Sequence, residues 1–395
     1  MGKNKVVIVG GGFGGIKAAL ELAGDRRFQV TLISELTTFR YYPTLYRTAT
    51  GGRKIISSIP LKEIFSGKNI NLINDTVIAI DRDKRLVTTK VKHQVSYDAL
   101  LLAIGVKTNY FNIEGLEEFS YGIKSVDDAE RLKSHIHQQL IDDRRPDANY
   151  VVIGGGPTGI ELAGELPAYV NKVIECHELP ARKIHVDLVE AAPRLLPRMP
   201  KDISRHVKRR LRKLGVKIYL KTAVQAQNAE ALMIHDKPIR SHTVIWTAGI
   251  TNHPFFKEQG FQIARNGKVR VDQFLQAEPG IYVIGDNADT PYSGMAQTAL
   301  YDGEFVADNL KKLAIKDEPV AYIAKKPIYV IPVGPRYAAV LWGKLRVFGI
   351  FGWILRRLAD FKAYNDYLPW QLAAKLWIAE DDEESSCLTC ARNQQ

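Results

Sequence analysis

Cysteine is scarce in this chain: Cys176, Cys387 and Cys390 are the only three among 395 residues. That excludes a secreted scaffold stapled by disulfides. Nowhere do about eighteen apolar residues follow one another, so no helix is expected to span a bilayer. The first strand-like run begins at Lys5, with no signal peptide ahead of it, and a cytoplasmic protein is the simplest expectation. No metal site is expected. Acidic residues are outnumbered, which leaves a net charge of +12. Such a charge suits an anionic partner (nucleic acid, an anionic membrane or a charged substrate), or simply marks a basic soluble enzyme. No zinc finger or aromatic-rich nucleic-acid motif accompanies the basic run from Lys201 to Lys217, which reads as a solvated helix face, so no nucleic-acid partner is expected.

What is present points to a large α/β protein. Hydrophobic residues make up 46% and charged residues 25%, enough for a sizeable core in two or three packed units. Lys5 to Val9 is a β-branched run, followed by a glycine turn from Gly10 to Gly15 and a helical pattern that ends near Gly24. Phe28 to Ile33 is again strand-like and closes on Ser34 and Glu35. Strand, glycine turn, helix, strand and acid make a βαβ unit. The same order recurs 144 residues later, with Tyr150 to Ile153, a turn from Gly154 to Gly159, a helix through Leu166, a strand from Ile184 to Val189 and the acid Glu190. Further strand-like patterns cover Thr76 to Asp81, Arg85 to Lys90, Tyr97 to Gly105, Val244 to Gly249 and Gly280 to Ile284.

Each glycine turn fits the dinucleotide fingerprint. Gly10 permits the tight turn, Gly12 lets the backbone approach a pyrophosphate, and Gly15 lets helix and strand pack closely; Gly154, Gly156 and Gly159 repeat the set. The helix N-terminus adds unpaired N–H groups that favour phosphates. Glu35 and Glu190 stand where a carboxylate accepts from ribose hydroxyls; at Glu190 this prefers NADH over NADPH, although Arg194 is nearby. Glu161, just inside the second helix, is either a first-turn acid that complements the helix dipole or a group facing the nicotinamide. Asp286 opens a turn.

With these residues in place, the chain resembles the pyridine nucleotide–disulfide oxidoreductase superfamily over roughly residues 5 to 325, and within it the type II NADH dehydrogenases. The segment Pro43 to Gly51, the second glycine motif from Gly154 to Leu166, the long insert before Ile184 and the run Ala296 to Ala299 carry that resemblance. It implies a two-dinucleotide-binding-domain flavoprotein with two Rossmann-like domains: an FAD-binding domain in two parts (1–115 and 261–326) around an inserted NADH-binding domain (116–260). A C-terminal segment (327–380) and a flexible tail (381–395) follow. FAD contacts are then expected from Gly10, Gly12, Phe13, Gly14, Gly15, Glu35, Val77, Ala103, Gly105, Asp286, Gln297 and Thr298. NADH contacts are expected from Gly154, Gly156, Pro157, Thr158, Gly159, Glu161, Glu190, Ala248 and Gly249. Glu161, Gln297 and Tyr301 are the expected catalytic residues, with a quinone as acceptor near Gln297 and Tyr301. Where the family carries a second glutamine, this chain has Tyr301, a departure that bears on how a quinone is held. Disulfide reductases and sulfide:quinone oxidoreductases of the superfamily need reactive cysteines that the body of this chain lacks. Three other readings stay open: a soluble reductase of ferredoxin or rubredoxin, a flavoprotein like apoptosis-inducing factor, and a non-catalytic redox sensor.

The C-terminal segment is aromatic: four of the five tryptophans fall between Trp342 and Trp377. Leu345 to Lys362 spaces Phe348, Phe351, Leu355, Leu358 and Phe361 as on a helix, with Arg356 and Arg357 on another face, and a second apolar stretch runs from Leu368 to Ile378 behind Pro369. Such helices suit either a membrane interface or a core or dimer contact. The resemblance favours peripheral attachment to an anionic membrane on its cytoplasmic side, and leaves a homodimer open.

Overall fold

The computed structural model describes residues 2–141, 147, 149–180 and 184–382. The Cys387–Cys390 pair lies outside the described residues. Two parallel sheets organise the chain. The first has six strands in the order Gln276–Glu278, Ile281–Val283, Ala99–Leu102, Asn4–Val9, Phe28–Ser34 and Ile70–Asn74. Only the pairing of Gln276–Glu278 with Ile281–Val283 is antiparallel. The second has four parallel strands in the order Lys217–Leu220, Val186–Glu190, Tyr150–Ile153 and Thr243–Trp246. Sheets covered on both faces need strands apolar throughout, which is why Val6 to Val9 and Tyr150 to Ile153 lack polar alternation and are buried at every position.

Each glycine turn opens a helix that crosses back over its sheet: Phe13–Ala23 in the first unit and Pro157–Cys176 in the second. The first of these packs against the long helix Ala296–Leu313, where Gly303 lies so close that a Cβ there would stand 2.3 Å from the Gly14 carbonyl oxygen. The two sheets are joined by an antiparallel pair, Val106–Thr108 with Ile250–Asn252.

The C-terminal segment departs from expectation in its first part. Leu345–Gly349 is a strand, the last of a three-stranded antiparallel sheet with Tyr329–Pro332 and Ala338–Trp342. The helix starts only at Ile350 and runs to Asn365; a second, Trp370–Ala379, follows Pro369. A five-residue apolar run fits either period, and here pairing with Ala338–Trp342 decides for the strand. The segment is not an appendage. Ile331, Val333, Ala339 and Leu341 join the core around the second sheet, and Tyr364, Tyr367, Ala373 and Leu376 join the core around the first. Gly164 allows the contact with the second unit, since a Cβ there would stand 2.6 Å from the Gly334 nitrogen. No described helix is long and apolar enough to cross a membrane.

Arg356 and Arg357 do not form an outer polar face. Both are buried, with Asp360 and Glu380, and the apolar residues point out: Phe351 is 70% exposed, Leu358 55% and Trp370 65%. Arg356 pairs with Asp360, whose other oxygen accepts from Tyr41 Oη at 2.8 Å. Arg357 donates to Glu380 at 2.5 Å and to the Trp377 carbonyl at 2.6 Å, and the Trp377 indole donates back to the Arg357 carbonyl at 2.6 Å. Two buried arginines are tolerated because each has a carboxylate at hand. The helix is thus turned inside out relative to the usual surface helix.

Candidate functional site

The two glycine turns repeat one geometry. Gly10 and Gly154 take φ of +112° and +116°. A Cβ on Gly10 would stand 2.2 Å from the Ala103 carbonyl oxygen, and one on Gly154 2.7 Å from Thr247 Oγ1. At Gly15 and Gly159 a Cβ would stand 2.0 and 1.9 Å from the carbonyl oxygens of Gly10 and Gly154. At Gly12 and Gly156, by contrast, it would meet nothing within 4 Å. Each of these two residues is the N-cap of its helix with no side-chain cap, so the backbone donors of the first turn face open space. Such a helix N-terminus is suited to an anionic group, and the chain has two of them.

Around the first turn, Glu35 follows the end of the strand Phe28–Ser34 and is exposed, and Asn74 Nδ2 donates to the Glu35 carbonyl at 2.9 Å. Phe13 is buried in an aromatic group with Phe39 and Tyr41. Val77 is buried in the neighbouring three-stranded sheet, and Ala103 donates from its nitrogen to the Val9 carbonyl. Gly105 is held at both ends by one side chain: its N–H donates to Asn287 Oδ1 at 2.9 Å and its carbonyl accepts from Asn287 Nδ2 at 2.7 Å. Asn287 follows Asp286 in the Gly285–Asn287 turn and is fully buried. The turn is fixed from the other side by Asp302 Oδ2, which accepts from the Gly285 N–H at 3.0 Å. Burial pushes the Asp302 carboxyl up to about 6, against the hydrogen bonds from Tyr322 and Gly285. Neither Asn287 nor Asp302 was singled out in the sequence; the adjacency of one to Asp286 and of the other to Tyr301 was the only signal.

Lys124 was likewise missed. Its ammonium lies 5.8 Å from the Tyr42 ring centroid, burial pushes its pKa down, and Asp286 is the opposing charge. It forms no ion pair among the described residues. Arg40 lies over the same ring at 5.6 Å and donates to the Lys124 carbonyl at 2.8 Å. Tyr42 in turn stacks on Phe13, the residue after Gly12. Two cations thus lie against the ring that stacks on Phe13, the first residue of the helix that Gly12 caps.

In the second unit Glu190 is tied to the turn itself. Its two oxygens accept from the Gly155 N–H at 2.5 Å and the Ala192 N–H at 2.6 Å. Arg194 is turned away from it, donating to the carbonyls of Leu196 and Met199 and to Ser204 Oγ. Pro157 and Thr158 open the helix. Gly249 takes φ +80° beside the Asn109 carbonyl, next to Ala248.

Glu161 is the fifth residue of its helix, one turn too deep to cap the dipole. It keeps some exposed surface, but its carboxyl is withdrawn from water, which pushes its pKa up to about 7, with Arg356 opposing. The charges around neighbouring Tyr46 are Arg356, Glu165, Arg47 and Glu161. Arg356 comes from the C-terminal helix and donates to the Pro43 carbonyl at 3.0 Å. The second helix, the Pro43 segment and the C-terminal helix thus meet at Glu161. Gln297 and Tyr301 lie in the helix Ala296–Leu313. Gln297 is exposed, and its amide pairs with both backbone groups of Ile328, at 2.8 and 3.0 Å. Tyr301 is covered by the Lys325 ammonium at 3.8 Å and tilts against Tyr322. Thr298 is buried and donates to the Tyr292 carbonyl. Among the described residues no cluster of His, Cys, Asp and Glu is suited to a metal.

Comparison with known proteins places this arrangement. Residues 4–303 match the pyridine nucleotide-disulphide oxidoreductase family. The type II NADH:quinone oxidoreductase NdhA of Mycobacterium tuberculosis is 30% identical over 387 residues, which cover 89% of this chain and 82% of that protein. A type II NADH:quinone oxidoreductase of Staphylococcus haemolyticus is 26% identical, covering 79% and 83%. In fold the chain is similar to Plasmodium falciparum NDH2 solved with NADH, at a TM-score of 0.86 and 18% identity over 96% of this chain and 97% of that one. The sulfide:quinone oxidoreductase of Aquifex aeolicus shares the fold at 0.77 and 21% identity, over 94% and 92%. The chain belongs to the pyridine nucleotide-disulphide oxidoreductase family and, within it, to the type II NADH:quinone oxidoreductases.

Proposed function

We propose that this protein oxidises NADH by way of bound FAD and reduces a quinone, working at a membrane surface. The observation that carries the reading is the pair of open helix N-termini at Gly12 and Gly156, one on each parallel sheet. FAD, when bound, supplies the ring that takes hydride from NADH and returns two electrons to the quinone. The chain's part is to bind, orient and hold protons. The Gly12 turn takes the FAD diphosphate; Glu35 takes its adenosine ribose and Asp286 its ribityl chain. Residues 1–115 and 261–326 make up this unit, and 116–260 the NADH unit. The Gly156 turn takes the NADH diphosphate. Glu190 favours a free 2′-hydroxyl, and Arg194, spent on backbone carbonyls, is not free to receive a 2′-phosphate. Rapid mixing checks this: NADH should bleach the flavin of the anaerobic holoprotein faster than NADPH does, and a quinone should restore the colour. Failure of NADH to bleach it would sink the proposal.

Glu161 holds a proton near neutral pH, where quinone reduction needs one. A carboxyl with a pKa of about 7 is protonated below that pH and loses the proton above it. Quinone reduction is therefore expected to fall as pH rises through about 7. Glu161→Gln should flatten that limb and lower kcat about 100-fold. Steady-state profiles of the two proteins check this, and a limb that survives in Glu161→Gln assigns it to another group.

The outward apolar face of Ile350–Asn365 and Trp370–Ala379 supports attachment to a membrane as an interfacial pair of helices. Residues 327–380 then serve both to attach the protein and to cover Glu161.

A further inference from the structure

We propose that the helix Lys201–Lys213 of the second unit is an anionic-lipid docking face, lying beside the apolar C-terminal face and adding a second, electrostatic contact with the bilayer. This rests on the membrane reading above. Ile203, Val207 and Leu211 repeat every four residues and are buried against the second sheet. On the opposite side Lys201, Arg205, Arg209, Arg212 and Lys213 are all exposed. At a spacing of three to four residues they form one stripe along the helix. None of these five forms an ion pair among the described residues. A solvated helix face commonly interleaves both signs of charge; the one acid at these helical angles, Asp202, is paired with Arg346, which leaves five cations uncompensated.

Its place in the fold supplies the second argument. Along the edge of the stripe Asp202, and between it and the buried side His206 and Arg210, hold the C-terminal antiparallel sheet. Asp202 pairs with Arg346, His206 stacks on Phe348 at 4.1 Å, and Arg210 lies 4.9 Å from the Tyr337 ring and donates to the Val333 carbonyl at 3.2 Å. The hairpin strand fixed in this way leads straight into Ile350, the start of the outward-facing apolar helix. Its tip exposes Trp342 and Leu345 on either side of Gly343 and Lys344. A basic stripe is thus continuous, through one strand, with exposed tryptophan, leucine and phenylalanine. That combination matches the two layers of an anionic bilayer surface: headgroup charge, and the acyl boundary below it. A nucleic acid or an acidic protein would use the charge and leave the apolar tip uncovered.

The test uses full-length, FAD-loaded protein and cosedimentation with vesicles of phosphatidylcholine alone or mixed with phosphatidylglycerol. The parent is expected to bind both, and the anionic vesicles far more tightly at low salt. Combining Arg205→Gln, Arg209→Gln and Arg212→Gln should lower binding to the anionic vesicles on the order of 100-fold, leaving binding to phosphatidylcholine and the melting temperature unchanged. Turnover with a water-soluble quinone should also be unchanged. Phe351→Ser with Leu358→Ser should instead weaken binding to both vesicles. If the parent gains nothing from phosphatidylglycerol, or the triple variant keeps the gain, this inference is overturned while membrane attachment stands. If the parent binds neither vesicle, the membrane reading falls and takes this inference with it. Retention on nucleic acid that the triple variant loses, with vesicle binding unaltered, reassigns the stripe and equally overturns it.

Discussion

Gly156→Val should give a yellow, folded protein that NADH no longer reduces, and Gly12→Val a folded protein that purifies colourless. Both glycines sit in extended backbone, at φ −96°, ψ −170° for Gly12 and φ −79°, ψ 179° for Gly156, so a β-branched residue is not strained there. Neither position has a protein atom within 4 Å of a would-be Cβ. The new side chain therefore costs the fold little and fills the space where a diphosphate must approach the helix N-terminus. NADH oxidation should drop by roughly 1,000-fold or more in each, since a diphosphate held off the N-terminus loses several charge-assisted hydrogen bonds. Flavin absorbance of the purified proteins and NADH titrations separate the two defects. Gly15→Val and Gly159→Val provide the contrast. Their Cβ atoms would fall about 2 Å from the carbonyls of Gly10 and Gly154, and these variants should fail to fold. Equal flavin content in Gly12→Val and Gly156→Val would contradict the assignment of one nucleotide to each turn.

Arg357→Met should destabilise the protein by about 3–5 kcal/mol, the usual cost of removing one member of a buried pair. Glu380 would keep its burial and lose the 2.5 Å contact to Arg357, while its other oxygen already has no hydrogen-bond partner. The substitution also removes the guanidinium 4.4 Å from the Trp377 ring centroid and the bond to the Trp377 carbonyl. Adding Glu380→Leu to Arg357→Met should restore much of the loss, because two apolar groups of similar volume leave no charge stranded. Denaturant unfolding of the single and double variants measures this. A single variant within about 0.5 kcal/mol of the parent, the range of an ordinary surface change, would mean that the pair is solvated.

Much of this architecture is legible in the sequence because it depends on local rules. The glycine turns, their helices and the parallel strands show as short β-branched runs followed by glycine, and the three glycine roles emerge at the positions the fingerprint assigns. The acids at the strand ends follow the same logic. The C-terminal segment is less legible, because its geometry depends on distant partners. The period of Ile350–Asn365 separates two faces but does not say which is inside; Glu380 and Tyr41 decide that, neither of them neighbours in sequence. Leu345 to Gly349 joins a strand only because Ala338–Trp342 lies beside it. For Glu161, two roles fitted the sequence, and the depth of the residue in its helix and the arrival of Arg356 argue against the capping role. The contacts of Gln297 with Ile328 and of Tyr301 with Lys325 are not legible in the sequence either, because the linker to the C-terminal segment brings those partners to the helix. Asn287 and Lys124 carry no motif of their own and become visible only once Gly105 and Tyr42 are brought to them.

Gln297 and Glu161 share one dependency: each leans on residues beyond 327, the first through Ile328 and the second through Arg356. For anyone seeking a water-soluble form, truncation is then the wrong cut. It would release Gln297, open Glu161 to solvent and let its carboxyl drift back toward the ordinary acidic range. Resurfacing is the better route. Polar replacements at Phe351, Ile354, Leu358, Trp370 and Ile378 would strip the greasy exterior and leave the inward arginines, and the chemistry they cover, where they are.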